Sequence, residues 1–166
     1  SYPLVLGKIE LLMPALEGAS YQVEQHLYDA ITTARFVKGD QAVSYKTYVS
    51  ATEDLLVVEL EMEGEGHIKG NVQLSLPGEK EIVNQPPLAR VFPDKHDTGI
   101  TQESIHYLWR AFEDSVDIPS KAAMALRIVP SSTDGSFDIQ PAKPIRLRCA
   151  FSSNIKHDDC VINVIE

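Results

Sequence analysis

The 166-residue sequence predicts an all-β fold, an antiparallel β-sandwich with little helix, formed as a single domain over residues 1–166. Three observations predict it. Apolar and polar residues alternate with a period of two in several segments, which is typical of half-buried strands. These segments are short and recur at roughly 8–15-residue spacing between turn residues, as in sandwiches. No segment sustains the 3.6-residue period of a long helix.

The first strands are predicted from β-branched and aromatic residues. Residues 9–13, 32–37 and 42–49 are rich in such side chains and each is a strand candidate. Residues 22–31 also allow a short helix, which competes with an irregular segment leading into the second strand. The irregular segment is the favoured interpretation of this stretch.

The clearest alternation lies in residues 56–63, where apolar residues take one face and Glu59, Glu61 and Glu63 take the other. Residues 70–76 alternate in the same way, and the glycine-containing join between the two runs suits a turn. The two runs therefore predict an antiparallel hairpin. The glutamate face is expected to be solvated, because like charges on an outer strand face keep a sheet soluble.

The C-terminal part repeats this pattern. Residues 123–129 and 137–139 flank a turn-rich stretch, which predicts a second hairpin. Residues 145–152 alternate apolar side chains with Arg146 and Arg148, so this run is predicted to be a strand with a basic outer face. On that strand Cys149 belongs to the apolar face and is expected in the core.

Residues 105–112 fit two interpretations. Ile105, Leu108 and Phe112 have helical spacing, whereas a strand would place His106 and Arg110 on one face with Leu108 and Phe112. The strand is favoured because aromatic residues suit it.

Residues 76–102 are rich in proline and glycine, which predicts a long surface excursion, and long loops in compact domains are often functional. The polar run 94–97 within it could line a site. A solvated loop tip is the more frequent role for such a run.

Composition excludes several classes of function. The net charge of −9 disfavours binding of nucleic acid, because that binding depends on neutralising phosphates with Lys and Arg. No apolar run reaches the length of a membrane span, and no cysteine–histidine spacing indicates a metal site or other cofactor. Cys149 and Cys160 allow either a disulfide or two buried thiols, and the spacing does not decide between them.

The chemistry-bearing residues indicate no catalytic site and by themselves name no substrate. No nucleophile motif accompanies the five histidines, and no catalytic residue is assigned. Trp109 is the only tryptophan, and its indole would serve either as a packing anchor or as a platform for a sugar ring. The candidate carbohydrate contacts are these: Trp109, Tyr107, Arg110, Asp94 and His96.

The order of segments resembles the N-terminal β-sandwich of family 95 glycoside hydrolases and related six-hairpin glycosidases, a supersandwich-like domain. The resemblance rests on residues 3–11, 21–36 and 43–60, which stand in the family's order, and on the closing strands 125–129 and 144–154. It covers about residues 3 to 157 of the chain.

Four positions depart from the family pattern. Val23 stands where the family usually has Arg, His26 where it has Asp, and Lys46-Thr47 where it has Arg-Glu. The chain therefore resembles a divergent sister family more than family 95 itself.

The resemblance implies a non-catalytic domain of a secreted or periplasmic glycoside hydrolase. In such enzymes the sandwich precedes a helical (α/α)6 barrel that carries the catalytic carboxylates. The 166 residues are then expected to be inactive alone, to be cut from a larger protein, and to pack on that barrel and shape its substrate cleft.

Two alternatives come from other functional classes. A stand-alone carbohydrate-binding module would expose an aromatic platform, and a structural or adhesive sandwich domain would contact no sugar at all. An apolar docking surface would favour the hydrolase interpretation over both.

Overall fold

The computed structural model describes residues 6–76, 95–113, 118–130 and 132–165. Within them the chain forms eleven β-strands, one 3-10 turn at Pro14–Leu16 and one short helix, α1 (Cys160–Ile165). The strands are β1 (Lys8–Leu12), β2 (Ser20–His26), β3 (Ile31–Lys38), β4 (Gln41–Val49), β5 (Leu55–Glu63), β6 (Ile68–Ser75), β7 (Lys95–Ile100), β8 (His106–Phe112), β9 (Ser120–Val129), β10 (Ser136–Ile139) and β11 (Ile145–Ser153).

The strands form two sheets, which confirms the predicted all-β sandwich class. One sheet has three strands in the order β1-β6-β10, and the other has eight in the order β2-β3-β4-β5-β11-β9-β8-β7. Antiparallel pairing joins the following strands of the larger sheet: β2–β3, β3–β4, β4–β5, β5–β11 and β7–β8.

The chain divides into two compact units. The first comprises Ser1–Glu10, Gln73–Ala125 and Phe151–Glu166, and the second comprises Leu11–Val72 and Leu126–Ala150. Buried apolar residues of the first unit include Ile105, Leu108, Phe112, Met124, Cys160 and Val164. Those of the second include Val43, Leu60, Met62, Ile68, Val72, Phe137, Ile139 and Leu147.

Strand β5 follows the predicted alternation. Leu60 and Met62 are buried, whereas Glu61 and Glu63 on the opposite face are exposed. A period of two places successive side chains on opposite faces of the sheet, so this strand needs only one covered face. The glutamates therefore occupy an outer face, as the sequence predicted.

The hairpin predicted for residues 56–63 and 70–76 is wrong. Strand β5 pairs with β4 on one edge and with β11 on the other, so neither edge is free for β6. Strand β6 instead belongs to the three-stranded sheet, where it pairs with β10. The backbone leaves β5 through Gly64, at φ 98°, where a Cβ would collide with the Asp40 carbonyl. A glycine is needed at this position because L side chains rarely adopt that conformation.

The second predicted hairpin fails for a similar reason. Strand β9 lies between β11 and β8 in the eight-stranded sheet, whereas β10 belongs to the smaller sheet.

The irregular segment favoured before the second strand is also wrong, because Ser20–His26 forms strand β2 and pairs with β3. The alternation of Tyr21 and Val23 with polar neighbours is a signal that could have predicted this strand.

The favoured strand over residues 105–112 is confirmed as β8. Most of the long excursion at 76–102 lies at residues 77–94, outside the described residues, while Lys95–Ile100 forms strand β7 rather than loop. The predicted strand at 145–152 is confirmed as β11. Cys149 on it is buried, and both cysteines are free thiols.

Candidate functional site

The polar outer face of strands β2 to β5 is assembled by the register of the strands. Thr33 is opposite Lys46, and Lys46 is opposite Glu59, so these three side chains form one row across β3, β4 and β5. Residues directly opposite each other in an antiparallel pair project to the same side of the sheet. A second row joins Arg35 to Ser44, and continues to Glu61. We call this surface the charged face.

A groove of about 430 Å³ lies on the charged face. Its lining mixes carboxylates, cations, an amide and hydroxyls, with two less polar residues. The lining residues are Gln22, Glu24, Thr33, Ala34, Arg35, Ser44, Tyr45, Lys46, Glu59 and Glu61.

One wall of the groove is fixed by a bidentate ion pair. The Arg35 guanidinium donates from Nη1 to Glu63 Oε1 at 3.1 Å and from Nη2 to Glu63 Oε2 at 2.6 Å. This hydrogen bonding and the opposite charge lower the pKa of Glu63 and raise the pKa of Arg35. Both groups are solvent-exposed, so the pair orients the guanidinium more than it stabilises the fold.

A second ion cluster centres on Glu59, the least exposed carboxylate of the groove. Its Oε1 accepts from Arg146 Nε at 2.9 Å and lies 2.8 Å from Arg146 Nη2. Its Oε2 lies 3.8 Å from Lys46 Nζ. Glu59 thus accepts from one cation and faces a second.

The edge strand completes the groove. Gln22 Nε2 donates to Glu24 Oε1 at 2.8 Å. Gln22 is opposite Arg35 and Glu24 is opposite Thr33, so both side chains project from β2 on the side of the groove. The groove thus presents an amide, hydroxyls, carboxylates and cations within one concave surface. Such a surface can bind a ligand through many hydrogen bonds.

The sequence-predicted aromatic candidates lie together in the first unit. Trp109 and Tyr107 occupy the same face of β8 and are half-buried. Lys121 Nζ lies 4.9 Å from the centre of the Trp109 ring, a cation–π contact, and Tyr107 donates its hydroxyl to Asp97 Oδ2 at 3.4 Å. Both aromatic rings are therefore engaged by neighbouring side chains.

Of the remaining candidates, Arg110 and His96 do not lie on that face. Arg110 projects to the opposite side of β8 and is only 4% exposed, and its Nη1 donates to the Leu6 carbonyl at 3.4 Å. Burial lowers the pKa of Arg110. His96 is exposed on β7 in register with Arg110, and Asp94 lies outside the described residues.

Sequence reasoning missed the groove. The alternation of β5 placed Glu59 and Glu61 on one face, but nothing local showed that Arg35, Lys46 and Gln22 would join them. The polar positions of β3 and β4 carry the same period-two signal. They could have been combined with β5 only if the strand register had been known.

Comparison with known proteins finds no family model and no curated protein that matches the chain. Within the described ranges, no group of three or more His, Cys, Asp or Glu residues is arranged to hold a metal ion. In the same part of the chain, no helix has the length and hydrophobicity that crossing a bilayer requires.

Proposed function

We propose that this chain is a non-catalytic β-sandwich domain of a carbohydrate-active hydrolase, and that it packs on the catalytic domain through the β2–β3 hairpin. The observation that carries the proposal is an exposed apolar surface on that hairpin, which we call the apolar hairpin surface. It consists of Tyr21, Val23, Leu27, Tyr28 and Phe36.

Burial of the apolar face decreases steadily from the middle of the sheet to its edge. Leu60 on β5 is 0% exposed, as is Val43 on β4, whereas Tyr21 on β2 is 72% exposed. Tyr21 is opposite Phe36, and Phe36 is opposite Val43, so these side chains lie on one continuous face. The same apolar face is thus covered at β5 and open to solvent at β2.

The tip of the hairpin extends this surface. Leu27 and Tyr28 lie between His26 and Ile31, which pair across the hairpin end, and the Tyr28 side chain is 100% exposed. Behind them the Tyr21 and Phe36 rings lie 6.2 Å apart. Large apolar side chains exposed together on one hairpin commonly mark a surface that another protein domain covers.

The hydrolase assignment rests on the ordered motifs that resemble the N-terminal sandwich of family 95 and related glycosidases. In that arrangement a helical barrel carries the catalytic carboxylates, and the sandwich supplies a docking face. The same proposal places the protein outside the cytoplasm, in the secreted or periplasmic space where polymeric carbohydrate is hydrolysed.

The test uses the complete polypeptide that the gene encodes. We expect it to contain a helical catalytic domain and to hydrolyse a polysaccharide, whereas the 166-residue chain alone is inactive. The double substitution of Tyr21→Ser and Val23→Ser is expected to lower the thermal stability of the complete protein and its activity. The matched control is Ile155→Ser, an exposed apolar residue outside the hairpin.

A polypeptide without a second domain would overturn the proposal. So would a double variant of the complete protein that matches the control in both thermal stability and activity.

A further inference from the structure

We infer that the groove on the charged face binds an uncharged, hydroxyl-rich ligand, specifically a short neutral oligosaccharide. This site lies on the side of the β2–β5 strands opposite to the apolar hairpin surface. It does not depend on the proposed docking of a catalytic domain, and it uses none of the aromatic candidates on β8.

The charges of the groove nearly cancel, which argues against an ionic ligand. The lining carries Glu24, Glu59 and Glu61 against Arg35 and Lys46. Arg35 is already paired with Glu63, outside the lining, and Glu59 already faces Arg146 and Lys46. An anion or a cation would therefore have to compete with partners that are in place, and a ligand charge of either sign would meet like charges.

The polar groups are held in fixed orientations, which suits hydroxyl recognition. The two contacts of Arg35 with Glu63 fix the plane of the guanidinium, and Arg146 holds Oε1 of Glu59 through two of its nitrogens. A guanidinium has more N–H donors, and a carboxylate more acceptor positions, than these ion pairs use, so both groups can still bind ligand hydroxyls. Because these side chains are ordered before binding, less conformational entropy is lost when a ligand is bound.

The size of the groove supports a ligand of a few sugar units. Its volume of about 430 Å³ lies within the range of roughly 300–1,000 Å³ found for small-molecule sites. Gln22 and Glu24 on the edge strand and Glu59 on β5 line it, so it extends across all four strands. A chain of sugars lying across the strands could contact each of them.

The experiment titrates the 166-residue chain, labelled with ¹⁵N, with defined neutral cello-, xylo-, manno- and malto-oligosaccharides and follows amide shifts. The comparison probes are an oligogalacturonate and a lysine-rich peptide. We expect at least one neutral oligosaccharide to shift the amides of β2 to β5 at the groove. The two charged probes are expected to leave those amides unchanged.

Two variants locate the site. Ser44→Tyr places a ring in the groove and is expected to abolish binding, and Thr52→Tyr places the same ring on an exposed loop and should leave affinity unchanged. Glu61→Ala removes one exposed acceptor from the groove and should weaken binding about tenfold, as expected for one hydrogen bond to a charged group. Glu61→Ala also serves if Ser44→Tyr fails to fold.

The inference is overturned if no neutral oligosaccharide shifts the groove amides. It is equally overturned if binding persists in Ser44→Tyr and Glu61→Ala, or if a charged probe binds in preference to every neutral sugar. None of these results bears on the docking of the apolar hairpin surface, which is measured in the complete polypeptide.

Discussion

Strand β2 exposes both of its faces to solvent. The two faces differ in how far their side chains contact other side chains of the protein. Gln22 and Glu24 face the groove, where they hydrogen-bond each other and adjoin the fixed ion pairs of β3 to β5. Tyr21 and Val23 face the other way and are 72% and 55% exposed, with the Phe36 ring beside Tyr21. The charged face carries ion pairs and hydrogen bonds beside polar groups that line the groove, whereas the apolar face leaves large hydrophobic side chains in water.

The difference shows that alternation alone does not decide burial. Strands β2 and β5 share the same period-two pattern, yet the apolar face is closed at Leu60 and open at Tyr21. A side chain at the edge of a sheet is covered only if another element reaches it. The apolar hairpin surface is therefore the part of the second unit that gains most from a partner.

The largest expected effect is a difference in the free energy of unfolding. A substitution at the buried end of the apolar face should cost much more stability than one at its exposed end. Leu60→Ala should lower the free energy of unfolding by about 2–5 kcal/mol, because it leaves a cavity in a packed core. Val23→Ala should change it by less than about 0.5 kcal/mol, because Val23 is exposed. Urea denaturation of both variants measures the contrast. Equal losses of stability would show that β2 is packed like β5.

A smaller effect is expected on the charged face. Glu59→Ala should cost about 1 kcal/mol, because it removes the shared partner of Arg146 and Lys46. Glu61→Ala is the matched control on the same strand face and should change stability by no more than about 0.5 kcal/mol. A Glu59 variant as stable as the control would mean that the cluster orients side chains without stabilising the sheet.

Cys149 lies on the buried apolar face at β11, opposite Leu56. The reactivity of its thiol therefore measures whether that face is covered. Burial raises the pKa of Cys149 to about 12, so its thiolate is scarce at neutral and mildly alkaline pH. We expect alkylation of the native protein at pH 8 to be slow, and the denatured protein to react at both cysteines without prior reduction. Fast native alkylation would indicate an open face, and reaction only after reduction would indicate a disulfide.

The smallest effect concerns pH and the pair of Arg35 with Glu63. Because hydrogen bonding from Arg35 lowers the pKa of Glu63 below its ordinary 4.5, the pair contributes stability above that pH and loses it as the pH falls through the lowered value. Carboxyl NMR titration should show the pKa of Glu63 rising toward 4.5 in Arg35→Gln.

The sequence predicted individual strands better than their partners. Alternation located β5 and β11 and placed Cys149 in the core, and aromatic content located β8, because each of these signals is local. Both hairpin predictions failed because both edges of β5 and of β9 are occupied, in each case by the preceding strand and by β11. Pairing between distant strands leaves no mark in a single segment.

The candidate site shows the same limit. Arg35 and Glu63 are 28 residues apart and meet only because β4 lies between their strands. Arg110 carries a charge that predicted exposure, yet its position on the apolar face of β8 places it in the interior. The exposure of Tyr21 follows from the edge position of β2, which the residue type does not encode.

Hydrogen exchange tests the central claim most directly. Amide exchange in Ser20–His26 is compared between the isolated 166-residue chain and the complete polypeptide, with β4 and β5 as the internal reference. We predict that β2 exchanges quickly in the isolated chain and is protected in the complete polypeptide, while β4 and β5 exchange alike in both. Equal exchange of β2 in the two proteins would contradict the assignment of the apolar hairpin surface as a docking surface.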